Sequence, residues 1–145
     1  MISCEGPDCA TMATEKQISR ILLVDDNEQN RYVMSRTLRS PNLSIEECAT
    51  GMAALERVKS LPDLVILDVR LPDIPGYEVC RRIKQNSATA HIAVLQVSAY
   101  IAEQGKAAVR AAGADALLTH PIDPAVLLDV VTTLLATKKS ASSGS

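Results

Sequence analysis

The segment Leu64-Val65-Ile66-Leu67-Asp68 is four aliphatic residues followed at once by an acid, with the loop Leu71-Pro72-Asp73-Ile74-Pro75-Gly76 just beyond it. So short an apolar run, ended by turn formers, predicts a strand buried on both faces, the kind found in parallel sheets. The same design recurs on either side. Upstream, Ile21-Leu22-Leu23-Val24 runs into Asp25-Asp26-Asn27, where an Asn or Asp can cap a following helix. Downstream, Ile92 to Val97 ends in Ser98, and the shorter Ala116-Leu117-Leu118 leads to His120-Pro121. Ser44 to Cys48 is a weaker strand.

Between these runs the apolar spacing widens to that of helices. Tyr32, Val33 and Leu38 mark a helix that stops before Pro41, and Ala53, Ala54, Leu55 and Val58 mark one that stops before Pro62. Val79, Cys80 and Ile83 mark a third. Ala107 to Ala112 closes a fourth, with Gly113 at the position that ends helices. Val126, Leu127, Val130, Val131, Leu134 and Leu135 give the last helix one apolar face. Five β/α units in succession predict an α/β domain, a parallel sheet with helices on both faces. The domain is expected over residues 19–137, after a flexible leader (1–18) and before a flexible tail or linker stub (138–145).

Hydrophobic residues make up 47% of the 145-residue chain, enough for one buried core and against disorder. With no Trp or Phe, that core must be aliphatic. The net charge of -2 gives no electrostatic reason to expect nucleic acid as a partner. No apolar run approaches the ~20 residues that cross a bilayer, and no signal-peptide core is present, so a cytoplasmic protein without membrane contact is expected. Cys48 and Cys80 fall in periodic apolar segments and are expected as small core residues; Cys4 and Cys9, in the leader, lack metal-ligand partners and are expected to be reduced thiols.

In open parallel sheets the site lies at the carboxyl ends of the strands. Asp25, Asp26, Asp68, Ser98 and His120 all occupy such ends, on strands one, three, four and five, so one crevice can collect them. Three carboxylates together repel one another, and a bound cation or a raised pKa relieves them. Oxygen ligands of this kind suit Mg²⁺. The chemistry favoured is phosphoryl transfer, in which positioning and charge neutralisation carry most of the catalysis, with Asp68 as the nucleophile. A single Asp after a strand is usually a turn or cap residue. The ordered set of an Asp pair, a distant Asp and a Ser, each ending a different strand, is far more specific.

These residues, in the stretches ILLVDDNEQNR, LPDLVILDVRLPDIPGYEVCRRIK, HIAVLQVSAY and GADALLTHPID, resemble the receiver domains of two-component response regulators, of chemotaxis-regulator type, from Ile21 to about Ala136. The resemblance implies a doubly wound, flavodoxin-like sheet of five parallel strands in the order 2-1-3-4-5. It implies that Asp68 accepts a phosphoryl group from a histidine kinase or phosphotransfer domain, and that the protein assists this step without being an enzyme. It further implies Mg²⁺ held by Asp26, Asp68, the backbone carbonyl of Arg70 and, through water, Asp25. Ser98 would be the switch hydroxyl. The helix after Asp25-Asp26 would be the docking face for the donor, and residues 101–136 a homodimer face. The run ILLVDDNEQNRYVMSRTL resembles receivers at the N-terminus of hybrid or receiver-headed sensor histidine kinases more than those of transcription factors. No output domain is expected within the chain, which reads as a single-domain regulator or a piece cut at a linker.

Two positions depart from the family pattern. His120 stands where the family has Lys; an imidazole is shorter and is not a fixed cation near pH 7. Leu117 stands where the family has an aromatic switch residue, and Tyr100 is the nearest aromatic replacement. These departures keep open a second reading, a pseudo-receiver that binds partners without being phosphorylated. A phosphatase of the haloacid dehalogenase type is disfavoured, because Arg70 occupies the place of its second Asp.

Overall fold

In a computed structural model of the chain, which describes residues 18–98, 103–120 and 122–144, the alternating runs become alternating elements. Strand β1 (Ser19–Val24) leads to helix α1 (Glu28–Leu38), β2 (Leu43–Cys48) to α2 (Gly51–Arg57), and β3 (Leu64–Asp68) to α3 (Gly76–Gln85). Then follow β4 (Ala93–Ser98), α4 (Glu103–Ala111), β5 (Ala116–Thr119) and α5 (Pro124–Gly144). The five strands form one parallel sheet in the order β2-β1-β3-β4-β5, as the family resemblance implies.

Each boundary has a local cause. Asn27 caps α1 by accepting the Asn30 N–H at 3.0 Å, and Thr50 caps α2 through Ala53 N–H at 3.1 Å. Helix α2 tightens into a single 3₁₀ turn (Val58–Ser60) and ends at Leu61, which takes the left-handed conformation (φ 60°) just before Pro62. Gly113 ends α4 with φ 91°, packed on the Lys84 stem. Lys84 in turn donates to the Ile92 carbonyl at 2.6 Å and to Asp115 Oδ2 at 2.9 Å, fastening the end of α3 to the start of β4 and β5.

The aliphatic residues of the central strands are buried, and the alternation of side chains sorts them into two cores. On one face Ile21, Leu23, Ile66 and Leu95 pack against Met34 and Leu38 of α1 and Leu127 and Val131 of α5. On the other, Leu22, Val24, Leu67 and Val94 pack against Ala54 of α2, Val79 and Ile83 of α3 and Ala112 after α4. Cys80 belongs to this second core, whereas Cys48 is half-buried at the end of β2. Truncating a residue such as Ile66 or Leu95 to Ala is worth roughly 2–5 kcal/mol. Edge strand β2 mixes half-buried with exposed residues and carries the consecutive exposed Glu46 and Glu47, which explains its weak sequence signal. Helix α5 runs through the residues read from sequence as a tail from 138. Its Lys- and Ala-containing end offers no helix breaker before Gly144. The leader, with Cys4 and Cys9, lies outside the described residues, as do Tyr100 and Pro121.

Candidate functional site

Parallel strands that end level with one another bring their following residues together. Val24 pairs with Leu67, and Asp68 with Val97, so the acids after β1 and at the end of β3 lie side by side with the end of β4. The carboxylate oxygens of Asp25, Asp26 and Asp68 approach one another within 4.8 Å. Asp25 is buried (1% exposed), Asp68 half-buried and Asp26 exposed. The cluster thus grades from the sheet interior to solvent.

Backbone groups hold the acids in place. Asp25 Oδ1 accepts the Asn27 N–H at 2.8 Å, and its backbone carbonyl accepts from the Arg31 guanidinium, which also reaches Glu47 at 3.3 Å. Asp68 Oδ1 accepts the Arg70 N–H at 3.1 Å. Burial pushes the Asp68 carboxyl up to about 7 against the pull of that hydrogen bond, and the neighbouring charges of Asp25 and Asp26 push the same way. Burial likewise raises Asp25, with the Asn27 N–H opposing it and the Asp26 charge adding to it. Asp25 Oδ2 is buried and, among the described residues, has no hydrogen-bond partner. A buried carboxylate oxygen left without a donor is costly, and it sits beside two more carboxylates. An all-oxygen donor set of three crowded carboxylates fits a hard divalent cation, so the residues present suit Mg²⁺.

The acids open into a cleft of roughly 300 Å³, whose walls include Asn27, Arg70, Leu71 and His120. His120 is placed there by β5: its N–H donates to the Ser98 carbonyl at 2.7 Å, prolonging the β4–β5 pairing past the last strand residue. Ser98 ends β4, is buried (2% exposed) and has its carbonyl tied to the His120 N–H. The structure thus brings Asp26, Asp68, Arg70 and His120 around one opening, with Asp25 buried beside the two acids and Ser98 on the adjoining strand end.

Three contributors escape a sequence reading. Asn30 joins the wall because α1 starts at the cleft. Asp73, a loop residue by sequence, caps helix α2. Its Oδ1 accepts the Gly51 N–H and its Oδ2 the Met52 N–H, both at 2.8 Å. Desolvation raises its pKa, but the N–H groups of Met52, Gly51 and Ile74 outweigh that and hold the carboxyl below the usual range. Gly76 is the third. A Cβ there would come 1.9 Å from the Asp68 carbonyl oxygen, so only glycine lets α3 start against the backbone of the acid. No local pattern marks these roles, since the partners are distant in sequence.

The family model of the response regulator receiver domain matches residues 21–132. The chain belongs to this family. The receiver is 33% identical to the response regulator PleD of Caulobacter vibrioides over 117 residues, 80% of this chain and 26% of that protein, so it spans about a quarter of that relative. Among solved structures it is similar to a putative response regulator from Chloroflexus aurantiacus (TM-score 0.77, 33% identity, 82% of this chain and 98% of that one). It is also similar to the receiver domain of a signal transduction histidine kinase from Syntrophus aciditrophicus (TM-score 0.75, 29% identity, 82% and 91%). The protein is therefore a receiver domain of the two-component response regulator type, with the flavodoxin-like order read from its motifs. Among the described residues no helix is long and apolar enough to cross a membrane.

Proposed function

We propose that this receiver accepts a phosphoryl group on Asp68 from a histidine kinase or phosphotransfer domain, in the presence of Mg²⁺. The observation that carries the reading is the three-carboxylate cluster of Asp25, Asp26 and Asp68 at the carboxyl end of a parallel sheet, in which Asp25 Oδ2 is buried and has no donor among the described residues. Asp25, Asp26, Asp68 and the backbone carbonyl of Arg70 would hold the ion. Mg²⁺, when bound, supplies positive charge that neutralises the carboxylates and the phosphoryl oxygens.

The chain's own residues then do the following. The Asp68 carboxylate oxygen attacks phosphorus in line with the departing group. With a phosphohistidine donor, the new O–P bond forms as the P–N bond breaks, and the imidazole leaves with the electron pair. The Arg70 N–H keeps the other geometry of the carboxylate fixed. Ser98 and His120 serve as hydrogen-bond donors to the phosphoryl oxygens, His120 in the place of the family lysine. The exposed Tyr32 and Val33 of α1 are the docking surface for the donor.

Incubation with acetyl phosphate and Mg²⁺, followed by intact mass and peptide mapping, tests the reading. One phosphoryl adduct on Asp68 is expected, lost on adding EDTA beforehand and in Asp68→Asn. An adduct that persists in Asp68→Asn, or none in the unaltered chain, overturns it.

A further inference from the structure

Gln96 is wholly buried (0% exposed) in the middle of β4, a strand whose other residues up to Val97 are all aliphatic. A buried amide in such a strand is costly unless its polar atoms are used. Its Nε2 donates to the Gly76 carbonyl at 3.1 Å, while its Oε1 has no partner among the described residues. The amide also acts on the Cys80 thiol one turn further along α3, opposing the burial that pushes that thiol up to about 11. Gln96 therefore grips the first turn of α3 from the sheet.

That first turn is built onto the acceptor loop. The Gly76 N–H donates to the Val69 carbonyl at 2.7 Å, and the Gly76 Cα lies against the Asp68 carbonyl. The Val69 N–H, in turn, donates to the Val97 carbonyl at 2.8 Å. The peptide between Asp68 and Arg70 is thus bracketed by Val97 of β4 and by Gly76, and Gly76 is tied back to β4 by Gln96. Stability alone does not demand this tie. The Gly76 carbonyl heads α3 and is available to the helix's own ladder.

We infer that Gln96 is a positioning residue, which fixes the start of α3 and through it the Val69–Arg70 backbone beside Asp68. The inference rests on the reading of Asp68 as a phosphoacceptor assisted by Mg²⁺. Gln96 is also the sheet neighbour of Leu117, the residue at the family's aromatic position. The amide therefore links β4 to the acceptor loop at the level where this chain carries Leu117.

The test is Gln96→Met, close in volume and without the amide, in the full chain, with acetyl phosphate as donor. Phosphorylation of the unaltered chain is measured first. If that fails, the reading of Asp68 is at fault and the inference falls with it. If it succeeds, Gln96→Met is expected to keep or raise the thermal midpoint, because the orphaned Oε1 is gone. The Mg²⁺ concentration giving half-maximal phosphorylation should rise roughly tenfold, as when a group supporting metal ligands is removed. Amide shifts of Val69, Arg70 and Gly76 should move together. Should the Met variant not fold, Gln96→Asn, which keeps an amide one methylene too short to reach Gly76, is read in the same way. Half-saturation and amide shifts that stay in place, whatever happens to the midpoint, make Gln96 a packing residue and overturn the inference.

Discussion

Asp68 shows how much the setting changes a side chain. A carboxyl raised to about 7 in the folded state, against 3.8 in the free residue, favours folding while it is protonated. Its contribution is fully present below the unfolded value and is lost as the pH climbs through about 7. Metal-free protein should therefore lose stability relative to Asp68→Asn between pH 4 and pH 8. The difference should be about 1–2 kcal/mol once solvent screening of this half-exposed group is allowed for. Parallel urea titrations of the two proteins in EDTA measure it, and Mg²⁺ should remove most of it. A difference independent of pH would mean that burial and the neighbouring acids do not raise the Asp68 carboxyl. For His120 the expected change is a gain. His120→Lys places a fixed charge at the cleft wall and should tighten binding of BeF₃⁻ with Mg²⁺ by roughly 1–2 kcal/mol, the worth of a charge-assisted hydrogen bond. Calorimetric titration of both proteins checks this; equal affinities would mean that position 120 does not reach the bound anion.

At the scale of elements, the strand ends were readable and the ties between them were not. Each apolar run followed by Asp, Ser or His announced where a strand stops, because the parallel register aligns those stops in space. Asp73 carried no such announcement. Its partners Gly51 and Met52 lie across the β3–α3 loop, and a turn acid looks the same whether or not a distant helix needs capping. The same holds for Arg31, whose carbonyl partner is set by the packing of α1 on β1, and for Gln96, which reads as an odd polar residue in an apolar strand until α3 is placed over it. Asp73→Ala removes the acceptor of the Gly51 and Met52 N–H groups while Thr50 still holds Ala53, and should cost ~1 kcal/mol in a urea midpoint, as loss of a capping side chain does. Asp73→Asn should lose less, since one amide oxygen still accepts. Phosphoryl incorporation at Asp68 should survive in Asp73→Asn, and its loss there would give Asp73 a direct part in the chemistry.

For the molecule as a whole, five short strand runs alternating with helical spacings were enough for an α/β sheet, and the family motifs supplied the strand order. What stayed illegible was where helices end when composition gives no stop, as in α5, and which of two equivalent faces a half-buried strand shows. The placing of β2 at one margin of the sheet also matters to the protein in concentrated solution. A marginal strand presents unpaired backbone groups to any other chain that meets it, and added strands are the start of fibrils. Here Glu46 and Glu47 stand on that strand, held out by Arg57 and Arg31 respectively, while the opposite margin, β5, is only four residues long. Two like charges repeated along a growing stack would repel at every layer. Replacing both, as Glu46→Thr and Glu47→Thr, should leave the far-ultraviolet circular dichroism of dilute protein unchanged, yet bring on thioflavin-positive assembly at concentrations where the natural chain stays clear.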